Sequence, residues 1–153
     1  MDSYLDFPLF AEKVATFMDH LEDVNEITFI VIVTGQVVAT MDETQSTRNN
    51  TCEMKREIQR SICDQMDHSF YRFDVRVNNP FYLQCVIRHL SNDQQFVDIE
   101  IWLAKPFVRN HCAQDPDQCA VRFVRNIVRN PPDDLPNLPF RLDSVARDVQ
   151  LKG

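Results

Sequence analysis

Residues 96–103 read FVDIEIWL. Side chains alternate along a strand, so Val97, Ile99, Ile101 and Leu103 share one face and Asp98, Glu100 and Trp102 the other. Two carboxylates in an apolar run are either a reacting pair or the wet side of a sheet, and the neighbouring segments distinguish the two. In 81–90, Leu83, Cys85, Ile87 and His89 share a face; in 70–77, Tyr71, Phe73, Val75 and Val77 do. With these rows on one side of an antiparallel sheet, the five-residue loop 91–95 pairs Ile87 with Ile99. The three-residue loop 78–80 likewise pairs Val75 with Leu83. The opposite face then sets Arg88 across from Asp98, Arg72 and Val86 in the row of Glu100, and Arg76 across from Tyr82. A catalytic acid needs a desolvated or like-charged setting that raises its pKa, and arginines do the reverse. Asp98 and Glu100 therefore read as members of a mixed surface with Trp102, Tyr82, Arg72, Arg76 and Arg88. Trp, Tyr and Arg are the types enriched in interface hot spots, so this face is the expected partner-binding site.

Working outward, Asp6 caps a helix with Pro8 in its first turn, and Phe10, Val14, Phe17 and Leu21 give it an apolar stripe ending near Asp23. EITFIVIVT, 26–34, is apolar on both faces, as in a central strand covered on two sides. Gly35-Gln36 reads as a tight turn into a second strand, 37–41, followed by a polar loop. Asn50 and Glu53 form a capping box for a helix carrying Met54, Ile58, Ile62 and Met66. Asp115, Pro116 and Gln118 start the last helix, whose Val121, Val124 and Val128 face inward; it ends before Pro131-Pro132.

The predicted order is α-β-β-α-β-β-β-α: a single α+β domain, 1–130, with a five-stranded, mostly antiparallel sheet and helices packed on it. A Pro-rich extended tail, 131–153, follows, with a short helix over 141–150. This order resembles that of roadblock, longin and profilin-like modules over residues 5–130. The resemblance implies a scaffold or adaptor role and carries no residue motif with it.

The 153 residues suit one domain, and the net charge of −7 argues against a broad nucleic-acid footprint. With glycine only at 35 and 153, there is no phosphate-cradling loop, no dinucleotide fingerprint and no nucleophile elbow. Five cysteines, an odd number without a CxxC, point to a reducing compartment rather than a disulfide framework. The acidic start MDSYLDF lacks the charge and apolar core of a leader, and no apolar run is long enough to span a bilayer. An intracellular protein, cytoplasmic or nuclear, is expected.

Arg122, Arg125 and Arg129 line one side of the last helix and, with Arg109, form a basic stripe suited to phosphate or an acidic partner. The Cys and His spacings match no metal site, so no metal and no cofactor are expected. Cys85 reads as a small core residue, and Cys112 beside His111 as a reactive loop thiol. These residues imply a non-enzymatic protein-interaction or adaptor subunit, working as a homodimer or in a hetero-complex, with no membrane or small-molecule partner evident. The alternatives are a nucleic-acid accessory protein using the basic stripe, and a small enzyme using Asp98, Glu100 or Cys112.

Overall fold

The computed structural model describes residues 27–40, 51–77, 80–145 and 147–152. The helix expected over 6–23, the loop 42–50 and the Asn50 cap lie outside the described residues. The described elements run β1 (Thr28–Ala39), α1 (Thr51–Val77), β2 (Tyr82–Leu90), β3 (Phe96–Ala104), α2 (Lys105–His111), α3 (Pro116–Arg129), β4 (Phe140–Leu142) and β5 (Asp148–Leu151). The fold is α+β, as expected: a five-stranded antiparallel sheet with helices packed on it. Among the described residues, no helix is long and apolar enough to cross a membrane.

β1 is the middle of the sheet. Phe29, Val31 and Val33 lie beside Leu103, Ile101 and Ile99 of β3. β2 then aligns Tyr82, Cys85 and Ile87 with the same three β3 residues. The expected pairing of Ile87 with Ile99 is therefore present. On its other edge β1 pairs with β5 through Val31 and Val33, and further along with β4 through Val37 and Ala39. Ile58, Ile62, Met66 and Phe70 of α1 and Val121, Val124 and Val128 of α3 close one continuous core over this face.

Four expectations need correction. First, Gly35-Gln36 is not a turn. Gly35 stands beside Val97 and Gln36 beside Phe96, and β1 runs on through both. Glycine is needed there for another reason: a Cβ at Gly35 would stand 2.6 Å from Leu142 Cδ1. Second, 70–77 is helix, not strand. The alternation of Tyr71, Phe73, Val75 and Val77 is real, but Phe70, Phe73 and Val77 also continue the three-and-four spacing of Ile58, Ile62 and Met66. No glycine or proline interrupts α1 before Pro80, so the longer period prevails.

Third, 141–150 is not helical: the segment supplies β4 and β5, which hydrogen-bond to β1. The link between them stays on the ladder, with Asp143 N–H donating to Gln36 O and Arg147 N–H to Thr34 O, both at 2.9 Å. Fourth, two disulfides are present. Cys63 of α1 joins Cys85 of β2, and Cys112 joins Cys119 across the α2–α3 corner, with Cα separations of 5.5 and 6.4 Å. An odd count and absent CxxC did not preclude pairing, because the partners meet through tertiary contact.

The start of α3 is as read: the Asp115 side chain accepts from Gln118 N–H at 3.3 Å, with Pro116 in the first turn. α2 went unread, although Pro106 sits in its first turn as a start signal.

β4 needs a partner on its far edge. Gln65 of α1, 2% exposed, supplies one: its Oε1 accepts from Leu142 N–H at 2.7 Å and its Nε2 donates to Leu142 O at 3.4 Å. The amide thus imitates a neighbouring strand. Gln65→Leu should lower the unfolding free energy by about 2–4 kcal/mol, since two buried backbone groups lose their partner. Replacing Cys63 and Cys85 together by Ser should cost about 3 kcal/mol through the loop of 22 residues that the disulfide closes. Urea unfolding checks both.

Candidate functional site

The carboxylates of FVDIEIWL are held, each in its own way. Thr34 Oγ1 donates to Asp98 Oδ1 at 2.8 Å. Trp102 Nε1 donates to Glu100 Oε1 at 2.9 Å, and Lys152 Nζ donates to Glu100 Oε2 at 3.2 Å. Glu100 is buried and Asp98 half-buried. Their neighbours on β1 are Thr34 and Ile32, and Ile30 lies beside Trp102. A hydroxyl, an indole and an ammonium therefore satisfy them, where arginines were expected.

Arg88 is elsewhere because β2 is bulged twice, and Arg72 and Arg76 because 70–77 is helix. Register shifts lie between Tyr82 and Gln84 and between Ile87 and His89. The second leaves Arg88 exposed in a bulge and puts His89 across from Asp98. The first turns Tyr82 to the core side, 1% exposed, its ring stacked on Phe70 with centroids 4.9 Å apart. Tyr82 is thus not part of the Trp102 face. Arg72 and Arg76 belong to α1, so the expected single surface of aromatics and arginines is divided.

Arg72 and Arg76, one helical turn apart, line an open cleft of about 720 Å³ between α1 and the segment after α3. Arg72 pairs with Asp134 on the far wall, and His68 Nε2 stands 3.6 Å from the same carboxylate. Arg76 lies over the Phe73 ring, 5.3 Å from its centroid. Tyr71 and Val75 share the α1 wall, and Val75 is 53% exposed. Tyr71, Val75 and Asp134 were missed as site residues. Their signal, a Tyr-Arg and Val-Arg repeat at spacing four, shows only once 70–77 is taken as helix.

Of the basic stripe, Arg109, Arg122 and Arg129 are exposed and Arg125 is half-buried. Arg122 opens onto a second pocket of about 340 Å³ whose floor includes Phe81 and Phe123. Cys112 is bonded to Cys119, so it is not the reactive thiol expected. Among the described residues, no group of three or more His, Cys, Asp or Glu is placed to hold a metal ion.

Among the described residues one carboxylate is strongly perturbed, and it lies outside both clefts. Asp74 of α1, 7% exposed, accepts from Tyr82 N–H at 3.0 Å through Oδ2, while Oδ1 has no partner. Burial pushes its carboxyl from 3.8 up to about 7, against the hydrogen bonds from Tyr82 and Phe81 that act downward. Burial, then the nearby Asp67, likewise pushes the Tyr82 phenol far above its usual range. Asp74 is a buried strut between α1 and β2.

Because the folded-state value of Asp74 lies above the unfolded one, the folded chain holds the proton more tightly. That stability is complete below about pH 4 and is lost as pH rises through about 7. Asp74→Asn keeps the acceptor for Tyr82. At about 1.4 kcal/mol per tenfold change in proton affinity, it should raise the unfolding free energy near pH 8 by about 2–4 kcal/mol. Near pH 4 it should change little. Urea midpoints across this range check the slope.

Neither protein-family models, nor curated proteins, nor solved structures give a match to the chain, so its function is read from this geometry.

Proposed function

We propose that the chain is a non-enzymatic protein-interaction subunit, and that its partner docks in the cleft between α1 and residues 130–134. One observation carries this reading: Val75, 53% exposed, stands in an open cleft beside Tyr71, Arg72 and Arg76. An apolar contact ringed by Tyr and Arg is the composition of an interface hot spot. Of the residues expected on the sheet face, Arg72 and Arg76 line this cleft. Arg76, stacked on Phe73, presents its guanidinium at the cleft wall, where a carboxylate of the partner can be held in bidentate fashion. The fitting partner segment carries an apolar side chain for Val75 and an acid for Arg76.

The two disulfides favour an oxidising surrounding over the reducing one first expected, since disulfides persist there. A catalytic role for Asp98 and Glu100 draws no support, since both are hydrogen-bonded within the sheet and lie away from the cleft.

Val75→Asp and Arg76→Glu test the reading, with thermal unfolding as the control for folding. Both should weaken association at least tenfold, about 1.4 kcal/mol. For a second copy as partner, light scattering at several concentrations reads the loss. For a different protein, quantitative capture beside wild type does. If neither substitution changes the solution mass or any captured protein, the cleft is not the docking site.

A further inference from the structure

We propose that the smaller pocket, between the α2–α3 corner and the C-terminal half of α1, is a binding site for a small flat aromatic anion. This goes beyond the docking cleft, with which it shares only the Phe73 wall. The pocket encloses about 340 Å³, within the range of about 300–1,000 Å³ typical of small-molecule sites.

Its floor is aromatic. Phe73 and Phe123 meet edge to face with centroids 4.6 Å apart, and Phe81 lies 5.4 Å from Phe123. His111 stands edge-on to Phe81 at 5.3 Å. The rings form one cluster in the edge-to-face and tilted arrangements that aromatic groups prefer.

The rim is polar and cationic. Cys119, Arg122, Phe123 and Asn126 recur at helical spacing, so one side of α3 lines the pocket while Val121, Val124 and Val128 face the core. Arg122 is exposed at the mouth and has no ion-pair partner among the described residues. In a chain of net charge −7, an unmatched guanidinium beside an aromatic floor selects for an anion on an apolar body. The Asn126 amide adds a donor, since its Oδ1 already accepts from Asn130 at 3.0 Å.

The space is also kept open. Here the Cys112–Cys119 disulfide ties the end of α2 to the first turns of α3, which fixes the corner carrying His111 and Arg122.

The test uses two fluorescent probes with one ring system, 1-anilinonaphthalene-8-sulfonate and the uncharged N-phenyl-1-naphthylamine. Wild type should bind both saturably at one site, and the sulfonate more tightly. Arg122→Gln should weaken the sulfonate at least tenfold and the uncharged probe less than twofold. Asn126→Trp, which fills the mouth, should abolish both while the thermal midpoint stays in place. Failure of wild type to bind the sulfonate overturns the proposal. So does equal binding by all three proteins, which would mean surface adsorption. Loss of both probes only on Asn126→Trp, with Arg122→Gln silent, leaves an apolar pocket and refutes its anion selectivity.

Discussion

β1 must satisfy different partners along its two edges, and the rest of the molecule is arranged around that demand. Along one edge β3 pairs with residues 28–36; along the other, β5 and then β4 divide the work. A backbone polar group left unpaired in so buried a strand would cost as much as a lost hydrogen bond. The change from β5 to β4 occurs opposite Gly35, where the absence of a side chain lets Leu142 approach. Leu142 then needs a partner of its own, and the Gln65 amide of α1 provides it. One buried glutamine thus ties α1 to the outer strand β4.

From that placement the C-terminal half of α1 acquires three tasks. Phe70 continues the core stripe and stacks on Tyr82. Asp74 anchors the first residue of β2 through its backbone. Arg72, Val75 and Arg76 remain on the outer side and line the large cleft, while Phe73 stands between the two concavities. The segment therefore combines support and recognition, and a change in its pitch would alter both clefts at once.

How far this was legible depended on whether a local period had one meaning. The pairing of 81–90 with 96–104 was legible, because alternation in both segments and a five-residue loop left one register that buries Ile87 and Ile99 together. The start of α3 was legible because Asp115, Pro116 and Gln118 each serve the same end. The segment 70–77 was not, because its apolar residues satisfy a period of two and a period near 3.6 simultaneously, and only the uninterrupted stripe upstream decides between them. Gly35 misled because glycine marks turns and close approaches alike, and the approaching group, Leu142, lies far along the chain. The two bulges of β2 leave no mark in composition, yet they send Tyr82 inward and Arg88 out of register. Tyr82 and Arg88 left the expected surface for that reason, and Arg72 and Arg76 because 70–77 is helix. The disulfide partners were hidden for a similar reason, since only the fold brings Cys63 to Cys85.

Those bulges have a consequence for how copies of the chain meet. β2 is the outermost strand on its side of the described sheet. A straight outer strand of nine residues offers a ready template for an incoming chain. Two interruptions cut this one into short runs, the longest being the four residues 84–87. Adding a foreign strand there would require ironing out both irregularities, so the edge resists fibrous growth.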